Sequence, residues 1–139
     1  PWEVPADVVM PCAIENEIDI EDASLLLKNG TAYYVEAANM PASNEAIQLL
    51  RMDTRIHCAG SKAAGSGRVI VSPLERAQTS LRYSWSRSDV DARLRCAMHA
   101  IYDASVLAAE RYGLGYDLIA GNNIAAFERI AKAMLAQGM

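Results

Sequence analysis

The chain has 139 residues, 52% of them hydrophobic and 22% charged, with a formal net charge of −4. That composition suits one folded domain and excludes a disordered tail, a collagen-like repeat and a disulfide scaffold. No apolar run approaches the ~20 residues of a membrane span, no basic-then-apolar signal segment opens the chain, and Pro1 reads as a processed or trimmed edge.

In chain order, Asp7 to Ala13 reads as a short buried strand running into a loop. A helix follows from Asp19 to Asn29. Ile20, Ala23, Leu26 and Leu27 form its apolar stripe, Asp19, Glu21 and Asp22 suit its N-terminal dipole, and Asn29-Gly30 stops it. Ala32 to Ala38 is a second strand, rich in β-formers. Pro41 opens a helix through Asn44 and Met52, and Arg55 to Ala59 is a third, short strand. Strands separated by helices imply parallel pairing through right-handed crossovers.

Beyond a Gly/Ser/Ala loop from Ala59 to Gly67, the chain reads as helical. One helix runs from Val69 to Tyr83, with Pro73 expected in its first turn. Ser88 and Asp91 suggest a capping box for the next, whose apolar face includes Val90, Leu94, Met98 and Ile101. Asn123 is read as the cap of a last helix, with Ile124, Phe127, Ile130, Ala131, Met134 and Leu135 turned inward. The expected division is residues 1–60 as a βαβαβ piece and residues 61–139 as a helical region of one partial domain.

Charge is unevenly spread. Residues 1–22 hold seven acids and no base, whereas residues 51–95 hold nine bases and four acids. A net acidic chain is a poor nucleic-acid binder overall. The stretch from Arg76 to Arg95 still offers a contact for RNA or an acidic protein, beside its ordinary reading as a solvated helix face. The cysteines Cys12, Cys58 and Cys96 are odd in number and widely spaced, which points to free, buried thiols in a reducing intracellular compartment. His57-Cys58 and Cys96/His99 lack further ligands, so no metal site is expected. A parallel strand with no partner on its outer side invites cover, so other protein chains are expected on the sheet edge near Asp7 and Cys12.

Gly65-Ser66-Gly67 begins a G-x-G but lacks the third glycine of a dinucleotide fingerprint. Five blocks carry more. They are Pro11 to Glu17, Val35 to Pro41, Lys62-Ala63-Ala64, Val69 to Gln78, and Ile119 to Phe127 with the ending Ala133 to Gly138. Together, and in this order, they resemble hexameric NADP-dependent glutamate dehydrogenase.

The resemblance implies a fold and a site. The fold is α/β: the C-terminal half of a Rossmann-like domain, with three parallel strands, crossover helices and a helical C-terminal region. Asn16 and Asn39 match family asparagines beside the nicotinamide end of the cofactor, where an amide can donate and accept together. Val69 and Ser72 match residues lining the glutamate pocket. Departures cluster there. Gly65 stands for a family asparagine, and Arg68 and Pro73 stand for glycines, with the Arg68 side chain expected to fill space that the family leaves open. Ala37 and Ala126 also replace glycines, and Ile14 a threonine.

The family's G-x-G-x-x-G turn and its substrate domain, with a catalytic lysine and aspartate, lie upstream of the matched segment. No catalytic residue is therefore assigned. The first expectation is a non-catalytic chain serving as a structural or interaction subunit and needing no cofactor alone. The alternative is a C-terminal part of an active enzyme using NADP for reversible oxidative deamination of glutamate. Cytoplasm and mitochondrial matrix both fit.

Overall fold

A computed structural model describes residues 1–139. Three short parallel strands lie in the order β1 (Val8–Val9), β2 (Tyr33–Val35), β3 (His57–Ala59), joined by α1 (Ile20–Lys28) and α2 (Asn44–Met52). The α/β class and the parallel pairing thus match expectation. The strands are shorter than the β-rich runs suggest, because the chain peels away from the ladder where it enters the loops beyond each C-terminal end.

Local chemistry accounts for the helix ends. The Asp19 carboxylate accepts from the Glu21 and Asp22 N–H groups at 2.9 Å, and Asp22 closes the capping box. Gly30 takes φ 77° just beyond α1, a left-handed position that favours glycine. Ser43 caps α2 through the Ala46 N–H.

Alternation along the strands sorts the sheet faces. Val9, Tyr34 and Cys58 turn toward α1 and α2 and join Ile18, Leu26, Leu50 and Ile56 in one hydrophobic core. Val8, Tyr33 and His57 turn to the other face, where Tyr116 packs edge-on against His57 at 5.1 Å. Val9 is therefore covered within the chain, while Val8 and Met10 remain about half exposed beside the unpaired edge of β1. Burial pushes the Cys58 thiol up to about 12, with Glu36 adding to the shift, so Cys58 is a neutral core residue. Cys12 and Cys96 are exposed, which corrects the expectation of three buried thiols. None of the three is in a disulfide.

The helical region differs from expectation in several places. The stretch read as a loop contains α3 (Ser61–Ala64), and α4 (Ser66–Leu81) begins directly after it. Pro73 lies inside α4 beyond its first turn. Lacking an N–H, it cannot donate to the carbonyl one turn back. The helix α5 (Arg87–Arg111) is capped by Ser86 with Asp89, two residues ahead of Ser88 and Asp91, because both pairs satisfy the same spacing. The helix α6 (Leu118–Ala136) starts at the Asp117 cap rather than at Asn123. Phe127, Ile130, Met134 and Leu135 are exposed on it, not inward. No helix is long and apolar enough to cross a membrane.

The arginines between residues 76 and 95 are partly engaged on site. Arg95 pairs with Asp91 at 2.8 Å and Arg93 lies 4.7 Å over the Trp85 ring. Before β3, Arg55 grips Asp53 through two side-chain bonds of 3.0 and 2.6 Å. Those bonds, with a backbone bond from Arg55, hold the Asp53 carboxyl down at about 2 from its ordinary 3.8. A lowered carboxyl stabilises the fold above its ordinary value and loses that contribution as pH falls through its folded value. Carboxyl NMR titration should therefore place the Asp53 midpoint near 2 in the native chain and higher in Arg55→Gln, which loses the side-chain bonds and keeps the backbone one. Identical midpoints in the two proteins would show that Arg55 is not the cause.

Candidate functional site

The chain beyond the C-terminal end of each strand meets in one open cleft of about 1300 Å³. Residues 12–15 follow β1, residues 37–39 follow β2, and residues 61–62 and 64–70 come from α3 and the start of α4. Parallel sheets bind ligands at this end, because only there do the crossover connections open into a crevice.

Backbone bonds hold the wall together. The Ala37 and Ala38 N–H groups donate to the Pro11 carbonyl at 3.1 and 2.9 Å, fastening the β2 loop to the β1 loop. Further out, the Asn16 N–H donates to the Met40 carbonyl at 3.0 Å. Both residues are left-handed, with φ 53° and 46°. Asparagine tolerates that region, while methionine is held there by its surroundings. An isolated bridge between Ile18 and Ala42 continues the zipper.

Glu36 joins the remaining side. It is 7% exposed at the end of β2, and its carboxylate accepts the Ser61 N–H at 2.9 Å. Gly60, at the N-cap of α3, has no side chain to do this, so Glu36 caps the helix from the neighbouring strand. Lys62 on the same short helix donates to the Asn123 Oδ1 at 3.1 Å, tying α6 to the cleft.

The sequence-predicted site residues fall into two groups. Asn39 and Val69 line the cleft directly. Asn16 is exposed next to the lining residue Glu15, and Ser72 is half-buried one turn along α4 from Val69. Gly65 and Arg68 both lie on the wall. Arg68 is exposed and the cleft remains open beside it, so the guanidinium borders the space expected to be filled. Pro73 is exposed in α4. Sequence reasoning assigned no role to Glu36. Its one signal is an acid directly after the apolar Tyr33–Val35 strand. No group of three or more His, Cys, Asp or Glu side chains is arranged to hold a metal.

The lining carries two cations, Lys62 and Arg68, and one acid, Glu15. With the Asn39 amide beside them, this donor set suits an anionic ligand that also carries neutral polar groups.

Comparison with known proteins places the chain. The family model for glutamate/leucine/phenylalanine/valine dehydrogenase matches residues 1–138. The NAD-specific glutamate dehydrogenase of Clostridium symbiosum is 48% identical over 139 residues, which are 100% of this chain and 31% of that protein. The NADP-specific glutamate dehydrogenase of Psychrobacter sp. is 46% identical, again over 100% of this chain and 32% of the relative. The chain therefore spans about a third of the length of these relatives. A solved glutamate dehydrogenase superposes with a TM-score of 0.96 at 47% identity, covering 100% of this chain and 31% of the other. The hetero-hexameric enzyme of Thermus thermophilus superposes with 0.86 at 28% identity, over 99% and 32% of the two chains. A match over the full length in both sequence and backbone means that this chain belongs to the glutamate/leucine/phenylalanine/valine dehydrogenase family.

Proposed function

We propose that the chain forms one wall of the active-site cleft of a nicotinamide-dependent amino-acid dehydrogenase acting on glutamate. The reaction is the reversible oxidative deamination to 2-oxoglutarate and ammonia. The observation that carries this reading is the open cleft at the C-terminal ends of all three strands, with Asn39 and Val69 on its wall. The bound nicotinamide supplies the hydride acceptor. Asn39 offers an amide to the carboxamide and ribose end of that cofactor, and Asn16 buttresses it through the Met40 carbonyl. Val69 gives the substrate an apolar contact, with Ser72 one turn behind. The relatives are named NAD-specific in one case and NADP-specific in another, and either cofactor presents the same nicotinamide end to these residues.

Hydride transfer needs cofactor, substrate and acid–base groups in one closed site, and these 139 residues supply one side of it. Taken by themselves they are expected to give no turnover. Other protein, from the same polypeptide or from neighbouring subunits of an oligomer, completes the cleft and covers the β1 edge with its half-exposed Val8 and Met10. A non-catalytic structural or interaction subunit is the second reading, favoured by Gly65 and Arg68 on the cleft wall, with Pro73 further along α4.

The test is an assay of the complete protein that carries this segment, following reduced nicotinamide with glutamate and either cofactor. Glutamate-dependent reduction is expected, and Asn39→Ala should raise the cofactor KM about tenfold, the loss of one good hydrogen bond. No reduction with either cofactor would give way to the second reading.

A further inference from the structure

Glu36 grips the chain on both sides of Gly60. Its N–H donates to the Ala59 carbonyl at 2.9 Å, and its carboxylate accepts the Ser61 N–H at 2.9 Å. The next two residues, Ala37 and Ala38, are fastened to the Pro11 carbonyl, and Asn39 follows them onto the cleft wall. Residues 36–38 thus carry the bonds that tie the β1 loop, the β2 loop and α3 together. From Ser61 the tie runs on to Val69. The Ala63 and Ala64 N–H groups donate to the Gly60 carbonyl at 3.1 and 3.0 Å, and the Gly65 N–H donates to the Ser61 carbonyl at 2.8 Å. The Ser66 hydroxyl donates to the Lys62 carbonyl at 2.6 Å, so α3 passes into α4 with its carbonyls engaged, and Val69 stands in the first turn of α4. The helix α6 backs the same junction through Asn123 on Lys62 and Ile119 against Gly60.

The acceptor at this junction is a buried carboxylate that no cation pairs with. Burial pushes the Tyr34 hydroxyl and the Cys58 thiol upward, and the Glu36 charge adds to both shifts. Taking a lone carboxylate out of water is unfavourable. What it gains is a charge-assisted bond to the Ser61 N–H, stronger than a neutral acceptor would make. A local rule broken in this way is expected where geometry, and not stability, is at stake.

We propose that Glu36 is a positioning residue that holds the Asn39 wall of the cleft, which takes the cofactor, and the Val69 wall, which takes the substrate, at the separation that hydride transfer needs. The catalytic purpose rests on the dehydrogenase reading, whereas the link between the walls rests on the hydrogen bonds alone. Glu36 lies behind the wall and acts through Ser61 and Asn39. A misplacement of about 1 Å between reacting groups can slow a reaction about 100-fold. Each wall keeps its own contacts to its ligand when the link is cut, so the rate falls while binding persists.

The bond is cut from both ends in the complete protein that carries this segment. Glu36→Ala removes the acceptor. Ser61→Pro removes the donor and leaves Glu36 in place: proline suits the first position of a helix, and Gly60 before it already has the extended φ −74° and ψ 155° that proline requires. In Glu36→Ala, kcat with glutamate should fall about 10- to 100-fold below the native value, and in Ser61→Pro by the same factor below Ser61→Ala, which keeps the N–H. The KM values for glutamate and cofactor should move less than about threefold, and the deuterium isotope effect with α-deuterated glutamate should rise. A loss of stability alone would change the amount of folded enzyme and not the isotope effect. Glu36→Gln, which keeps an acceptor, should recover most of the rate. A rise in KM at unchanged kcat, or Glu36→Gln no faster than Glu36→Ala, would overturn the proposal. Hydrogen exchange at the Ala37 and Ala38 amides reads the link without turnover. It should quicken in Ser61→Pro relative to Ser61→Ala, although both amides lie outside α3, and unchanged exchange would overturn the link. If the native protein shows no glutamate-dependent reduction yet exchange responds in this way, the link between the walls stands while the dehydrogenase reading fails, and with it the catalytic purpose.

Discussion

Gly121→Ala is expected to destabilise the chain by about 3 kcal/mol and to lower its Tm by about 10 °C. The α5–α6 pair is built on small residues: Ser105, Ala108 and Ala109 are buried on α5, and Gly121 is the buried residue of α6. A Cβ on Gly121 would lie 2.0 Å from the Ser105 carbonyl oxygen and 3.0 Å from the Ala109 Cβ. The first obstacle is backbone, which cannot swing aside as a side chain does. The helices must separate, and the Ser105–Asn122 hydrogen bond next to the crossing stretches with them. Alanine is the better helix former by about 1 kcal/mol, so an isolated α6 would gain from the change. The clash outweighs that gain because it opens the whole packed crossing. The same substitution at Gly67 meets only the Leu94 Cδ1, at 3.7 Å, and should be neutral or slightly stabilising. Chemical denaturation of the two variants side by side provides the check. Equal midpoints would mean that the helices cross at a larger separation than this packing requires.

Much of the fold is legible in the sequence where one signal has one reading. Asp19 with Asp22 at one end and Asn29-Gly30 at the other bracket α1, and short runs between helical stretches mark all three strands. Legibility fails where a signal repeats or lacks a partner in the sequence. Ser86/Asp89 and Ser88/Asp91 have identical spacing, and only the cap that satisfies the real first turn is used. Asp117 outcompetes Asn123 because a cap six residues earlier brings Ile119 onto Gly60, with 3.2 Å between the Ile119 Cγ1 and the position of a Gly60 Cβ. The periodicity of α6 correctly groups Phe127, Ile130 and Leu135 as apolar, but periodicity identifies a stripe and not what the stripe meets. In the structure that stripe faces outward.

The site divides in a similar way. Asn39 and Val69 are singled out by the family blocks, and both line the open cleft. The left-handed backbone at Asn16 and Met40 has no composition signature, since it arises from two loops meeting. Glu36 is hidden for a related reason. A single acid at a strand end is ordinarily solvated, and only the approach of β3 and α3 buries it.

Glu36→Ala is accordingly expected to cost about 2 kcal/mol, against less than about 1 for Glu36→Gln. The carboxylate accepts the Ser61 N–H, one of the orphan donors that begin α3, and no side chain on Gly60 can replace it. Alanine removes the acceptor and leaves the half-buried N–H unpaired beside a void. Glutamine keeps an oxygen of similar reach and gives up only the charge. The difference between the variants therefore reports the hydrogen bond and the filled space together, apart from the charge. Its consequence reaches the cleft, because α3 carries Lys62 and leads directly into Gly65 and Arg68. Denaturation midpoints measure the stability term, and hydrogen exchange at the amides of residues 61–64 measures the local one. Exchange there should quicken markedly in Glu36→Ala and little in Glu36→Gln. Equal protection in both variants would show that α3 holds its place in the cleft without the carboxylate.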